Sequence, residues 1–373
     1  MDIAGMVLSG ATIDYGASST GEPPSPTVAH LELITVDAAG DLAQTYPGIS
    51  WNGGIPSGYV DEFEDVYAGA LSALNVGATV TVRIATDSGY VDRFESNYRA
   101  GFDVTRFSGI ITALDYTPAL VGITAVDLSE KLTRVELDPA AWPEELEIDR
   151  VNRILGLVGI TGTIHGTSPV ILRAGVNTRR QTAWRHLVDT AVAGESIVWV
   201  DREGDLVYRT ALGLPDTTYV APPGATLLDP LRMSSELGDV VNALELEYGT
   251  DQFITSEDAT SIAKYGRREK KLEEELADTV QAQKWADDYI AARRDPQWHM
   301  PNASVHLGLA NSDGAVASLL NVDLDDVLEL PTLLPASPVL SYASRVIGYS
   351  EILDPNQWLI SYVLDPYGWK APA

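Results

Sequence analysis

DVVNALELEYG, from Asp239 to Gly249, followed by SEDATSIAKYGRREKKLEEELADTVQAQKWADDYIAARRDP, from Ser256 to Pro296, is the stretch on which the reading of the fold turns. In its first part Leu244, Leu246 and Tyr248 alternate with Ala243, Glu245 and Glu247, the period of a strand with one wet side. In its second part Ala282, Trp285, Ala286, Tyr289 and Ile290 share one helical stripe after Asp278, and Pro296 forbids continuation. Between them lies Tyr265-Gly-Arg-Arg-Glu269 with Lys270-Lys271, the one basic cluster in the chain. Glu269, Glu273, Glu274 and Glu275 cancel its field, so the planar Arg forks suit salt bridges between subunits better than phosphate. Arg267, Arg268 and Glu269 are the candidate interface residues, with an ordinary solvated surface as the alternative.

Upstream, residues 1 to 135 read as mostly β. Val80, Val82 and Ile84 alternate between turn-forming stretches, and Phe107 to Leu128 splits at Thr117-Pro118 into a hairpin. A polar, aromatic insertion at about 37–74 interrupts these strands; its Trp51, Tyr59 and Phe63 are candidate contact residues. After Asp138-Pro139 to Trp142-Pro143 the period changes. Ile148, Val151, Ile154, Leu155 and Val158 recur at helical spacing and stop at Gly159. Thr178 is read as the N-cap of a second helix carrying Trp184, Leu187, Val188 and Ala191 and ending at Gly194. SIVWV then turns through Asp201 to Asp205 into LVYR as a hairpin. Downstream, SVHLGL, DDVLELP, SRVIGYSEI and QWLISYVL are four candidate strands, and Trp358, Ile360, Tyr362 and Leu364 face one way in the last.

Composition narrows the function classes. At 373 residues with 45% hydrophobic content the chain exceeds the size of one growing core, so several sub-domains are expected. The formal charge of −28, from 53 acids against 25 bases, repels phosphate and argues against a nucleic-acid grip. It suits a soluble surface, a salt-rich habitat, or a wall beside which DNA slides without sticking. With no cysteine there is neither a disulfide framework nor a thiolate metal site. No run approaches the roughly 20 apolar residues of a membrane span, and the first residues lack the basic region of a secretory signal. A cytoplasmic site of synthesis is the expectation.

Catalytic patterns are sparse. His30, His165, His186, His299 and His306 show no metal-type spacing. GLVGITG, Gly156 to Gly162, follows a helix rather than a strand and reads as a turn, not a phosphate cradle. No GxSxG elbow is present. NVDLDD, Asn321 to Asp326, lacks the Gly and distal Glu of a calcium loop and reads as a loop entering a strand. Asp61, Glu62, Glu64 and Asp65 near Trp51 and Tyr59 could form a sugar-cleaving pair or a sugar-stacking surface; they could equally form an acidic surface helix. No metal, cofactor or catalytic residue is assigned.

Four segments, in order, resemble the hub (minor tail) proteins at the tail tip of tailed bacteriophages: FSGIITALDYTP near Phe107, the helices and hairpin through DREGDLVYR, Asp239 to Pro296, and VIGYSEILDPNQWLISYVLDP. The resemblance implies a β-rich α+β fold with two tube-type β-barrel or sandwich domains and small α+β insert modules. The expected units are 1–140 as the first tube-like domain, 145–210 as a small module, 211–230 as a connector, 231–256 plus 301–373 as the second tube-like domain, and 257–300 as a helical insert. It also implies a homotrimeric ring in the virion. The ring would connect the tail tube and tape-measure protein to tip fibres or a spike, and it would pass DNA without binding it. Many relatives continue into a hydrolase or fibre, so lytic or receptor activity is not carried over. Two alternatives stay open, a wall hydrolase using Asp61 and Glu64 and a carbohydrate-binding adaptor using Trp51 and Tyr59.

Overall fold

The computed structural model describes residues 7–16, 25–34, 76–85, 103–116, 120–175, 180–211, 217–221, 226–227, 233–307, 318–330, 342–354 and 357–365. The insertion at 37–74, with Trp51, Tyr59, Asp61, Phe63 and Glu64, lies outside them. The first strands are β1 (Val7–Gly16), β2 (Ser25–Ile34), β3 (Thr79–Ala85), β4 (Asp103–Tyr116) and β5 (Leu120–Val126). A helical region follows, with α1 (Ser129–Arg134), β6 (Glu136–Leu137), β7 (Glu145–Leu146), α2 (Glu147–Val158) and β8 (Gly162–His165). It continues through β9 (Ile171–Leu172), β10 (Gln181–Thr182), α3 (Ala183–Ala193), β11 (Ile197–Val200) and β12 (Leu206–Arg209).

Beyond the short strands β13 (Thr218–Val220) and β14 (Thr226–Leu227) comes the opening stretch of the sequence analysis. It forms β15 (Ala243–Tyr248), β16 (Gln252–Glu257), α4 (Ala259–Tyr265), β17 (Glu269–Glu273) and α5 (Thr279–Arg293). The chain then returns as β18 (Asn302–His306), β19 (Val327–Leu330), β20 (Tyr342–Asp354) and β21 (Gln357–Asp365).

The fold is β-rich with few helices. One 11-stranded sheet runs β14-β18-β21-β20-β1-β2-β5-β4-β3, with β19 against β20 and β13 against β19; among the described residues the path is open. First and last strands therefore share a sheet, joined where β1 pairs antiparallel with β20 from Ala11↔Leu353 to Gly16↔Gly348. Strand alternation explains the core beneath it: Ile13, Leu31, Ile111, Ile123, Val305, Tyr349, Ile360 and Tyr362 are buried on inward positions. Each such side chain contributes about 1.5–3 kcal/mol of burial. Gly16 is required at the join. Its φ of +69° is left-handed, and a Cβ there would stand 2.5 Å from the Ile347 carbonyl.

Two further cores sit beside this sheet. In the first, α2 and α3 turn Val151, Ile154, Leu155, Leu187 and Val188 against the β11–β12 hairpin. In the second, α5 lays Ala282, Trp285, Ala286, Tyr289 and Ile290 on Leu244, Leu246 and Tyr248 of β15. Leu172 and Ala193 reach from the first region into the second core, and the Trp285 indole donates to the Val192 carbonyl at 3.3 Å. The hairpin is buried on both sides: Val198, Val200, Leu206 and Tyr208 face the helices, while Ile197, Trp199 and Val207 enter the core of the large sheet. That double burial is why SIVWV reads as an unbroken apolar run.

Two expectations shift. The second helix of the first module is capped by Thr182, whose side chain accepts from the Arg185 amide; Thr178 lies outside the described residues. The sequence reading grouped 231–256 with the C-terminal strands, whereas β15 pairs with β16 and β17 in a separate three-stranded sheet. Alternation identifies a strand but not its neighbour, and here the neighbour is the basic element, which supplies β17 parallel to β15.

Candidate functional site

The three candidate interface residues occupy one end of the β16-β15-β17 sheet, and a buried asparagine sets their position. Asn242, fully buried, donates from its side chain to Ser261 Oγ at 3.1 Å and to the Gly266 carbonyl at 2.8 Å. Its Oδ1 accepts from the Arg268 amide at 2.7 Å, and its own amide donates back to the Arg268 carbonyl at 3.1 Å. The crossing from α4 to β17 is thereby fixed at Gly266, whose φ of +78° lets the chain turn sharply. Asp258 caps α4 by accepting from the Ser261 amide at 2.7 Å and also accepts from Arg294 at 3.0 Å. These hydrogen bonds hold its carboxyl below the usual carboxylate range.

Arg267 projects from this corner and is paired within the chain. It meets Glu257 at 2.8 Å and Glu269 at 3.2 Å, with about half of its side chain exposed. The hydrogen bond from Arg267 keeps the Glu257 carboxyl low as well. Arg268 is half-buried, and its Nε is buried with no acceptor among the described residues. Lys264 with Asp295 and Lys271 with Glu245 complete a rim of charge pairs. The structure thus places Arg267 and Glu269 at the surface, with Arg268 between them half-buried. Solvent screens exposed pairs of this kind, so they add little to the stability of the fold.

The polar centre that sequence reasoning missed lies under the large sheet. Arg106 of β4 and Glu351 of β20 form a fully buried pair at 2.7 Å. Arg106 also donates to the Leu320 carbonyl at 2.8 Å, and the Trp358 indole donates to Glu351 at 2.5 Å. Arg202, at the tip of the β11–β12 hairpin, donates to the same Leu320 carbonyl, to the Val322 carbonyl, and to Tyr349 Oη at 2.7 Å. Its guanidinium lies 5.2 Å from the Tyr349 ring, and Tyr349 stacks on Tyr15 at 4.4 Å. Burial pushes the Tyr349 phenol above its ordinary range. Strands from both chain halves and the tip of an outer module are therefore pinned at one point. The only signal in the sequence was an Arg on an inward position of β4 and another in a turn.

Beside that pin, Asp201 and Asp326 are each pushed up to about 6, first by burial and then by neighbouring carboxylates that include Asp323. Asp325, at φ +69° in the loop before β19, is paired with Arg345 at 3.0 Å and Arg209 at 3.5 Å. NVDLDD is thus a loop entering a strand. Among the described residues no group of three or more His, Asp or Glu side chains is placed to hold a metal, and no helix is long and apolar enough to cross a membrane.

No family model matches the chain, and no curated protein matches it. Solved structures do. The tail protein from Neisseria meningitidis MC58 is 10% identical with a TM-score of 0.57, covering 97% of this chain and 93% of that one. Prophage tail protein gp18 from Listeria monocytogenes EGD-e is 10% identical with a TM-score of 0.55, covering 98% and 90%. The E. coli c3393 protein, a type VI secretion component described as similar to the T4 tail proteins gp27 and gp5, is 9% identical with a TM-score of 0.50, covering 99% and 76%. The chain has the β-rich fold of these tail and hub-like proteins along nearly its whole length.

Proposed function

We infer that this chain is a structural component of a phage-type tail, the hub at its tip. The observation that carries the reading is the likeness to tail proteins over 97% of the chain, including the outer modules as well as the large sheet. In this reading the subunit closes into a trimeric ring with two tube-like units per copy. The units follow the division proposed from the sequence, except that β15 and β16 go with the 257–300 insert whose sheet they share, and Arg267, Arg268 and Glu269 orient neighbours. The ring joins the tail tube and the end of the tape-measure protein to tip fibres or a spike. The charge of −28 would then line a conduit through which DNA passes without adhering. The subunit acts by assembly and carries no reaction; it would be made in the host cytoplasm and reside at the virion tail tip. The hydrolase and carbohydrate readings rest on insertion residues outside the described ones, and no observation favours them.

The test is native mass spectrometry and electron microscopy of the purified chain, alone and with its tail-tube protein. Trimeric rings are expected. A chain that stays monomeric at high concentration and binds no tail component would overturn the reading.

A further inference from the structure

The β16-β15-β17 sheet has two edges of unlike character. β17 reads EKKLE, charged at four of its five positions, the composition by which natural sheets keep other strands away. β16 reads QFITSE, uncharged until its last residue, and pairs with β15 from Ala243↔Glu257 to Tyr248↔Gln252 without a bulge. Among the described residues no further strand pairs with β16. One side of the sheet is covered by α5. On the other, Phe253 is 57% exposed.

Next to Phe253 is an open hollow of about 230 Å³ lined by Glu245, Glu247, Phe253, Lys271, Leu272 and Glu273. Its charges are unbalanced. Lys271 serves Glu245 and Arg173 serves Glu273, but the Glu247 carboxylate has no partner among the described residues. Glu247 stands directly across from Phe253 on one side and from Glu273 on the other. Like charges directly opposite in a ladder are destabilising, and a cation lying over the aromatic ring would relieve the pair.

We propose that the β16 edge accepts an extended segment of a partner protein, added as a fourth strand, whose outward side chains are lysine or arginine. Backbone pairing along Gln252–Glu257 holds the segment. Its cationic side chain crosses the Phe253 ring toward Glu247; the guest strand and β15 lie two strand spacings, about 9.6 Å, apart, a gap that a lysine or arginine and a glutamate side chain reaching toward each other can close. The inference stands apart from the ring reading, since it concerns an outer module and holds whether or not the chain closes into a trimer.

The test uses the full chain and an N-acetylated alternating Lys-Val octapeptide, with an alternating Glu-Val octapeptide as control, read by amide hydrogen exchange and by titration calorimetry. The Lys-Val peptide is expected to slow exchange across 252–257 and to weaken with added salt. Glu247→Gln, a surface change that leaves the fold intact, is expected to weaken binding about fivefold, and Glu136→Gln on the other module to leave it unchanged. Protection confined to other segments, or equal binding of the Glu-Val peptide, would overturn the proposal. So would concentration-dependent protection of 252–257 without peptide, which assigns the edge to a second copy.

Discussion

Arg106 and Glu351 lie 245 residues apart and meet with no exposed side-chain surface. Desolvating two ions costs several kcal/mol, and their attraction offsets this only with further hydrogen bonds, here from the Leu320 carbonyl and the Trp358 indole. The pair therefore selects one mating of the two chain halves more than it adds stability. Glu351→Gln, which strands the guanidinium, is expected to cost about 3–5 kcal/mol in urea unfolding, and Arg106→Met with Glu351→Leu to cost less than that single change. A loss below about 1 kcal/mol for Glu351→Gln would contradict the assignment. Asp201 gives the opposite sign. Its folded pKa of about 6 exceeds the ordinary 3.8, so between those values the folded chain holds a proton the unfolded chain has released. Stability from this group falls as pH rises from about 4 to 6, and the penalty is complete at neutral pH. Asp201→Asn keeps an oxygen to accept the Asp205 amide at 2.8 Å and removes the charge. After discounting for its partial exposure, a gain of about 1 kcal/mol is expected at pH 7.5 and none at pH 4. Thermal unfolding at the two pH values measures it; equal shifts at both would refute the linkage.

Most individual elements were legible because each carries a complete local signal. The stripe from Ala282 to Ile290 forms α5, capped by Asp278, which accepts from the Gln281 amide at 2.9 Å. The helix over Glu147–Val158 stops at Gly159, whose φ of +70° closes it. QWLISYVL puts Ile360, Tyr362 and Leu364 inward as its alternation requires. The cap of α3 was misplaced because Thr178 and Thr182 precede the same apolar stripe, and composition cannot choose between two threonines one turn apart. Strand partners stayed hidden for a deeper reason: pairing is settled by contacts across hundreds of residues, as when β1 meets β20. Of the site, the cluster at 267–269 was readable as charge, but its buried support was not, because Asn242 looks like any strand-entry asparagine. Asn242→Ala would leave the Gly266 carbonyl and the Arg268 amide without their acceptor or donor. A cost of about 2–3 kcal/mol is expected, with faster amide exchange confined to 259–273. Unchanged exchange there would show that α4 and β17 are held by packing alone.

The whole molecule has its outer modules attached to the large sheet through a hairpin with two masters. Val198 and Tyr208 belong to the helical core while Trp199 and Val207 belong to the sheet core, so the hairpin cannot leave one without exposing the other. Arg202 adds direction: its donors reach the Leu320 and Val322 carbonyls, which precede β19, and Tyr349 in β20. In the proposed hub role, such a joint would pass load between the sheet and the modules, together with the Arg209–Asp325 pair. Arg202→Ala removes the pin and leaves the Val322 carbonyl and the buried Tyr349 hydroxyl without their partner, while the Leu320 carbonyl keeps Arg106. Each uncompensated group costs about 1–3 kcal/mol, so a loss of about 3 kcal/mol is expected in the whole-chain transition. The more telling readout is cooperativity. With the pin in place, sheet and modules are expected to unfold together. In Arg202→Ala, calorimetry should resolve two transitions, and limited proteolysis should release the sheet and the modules as separate fragments. A single transition with unchanged cleavage would mean that Trp199 and Val207 suffice to couple the two bodies, and that the guanidinium only satisfies the loop it touches.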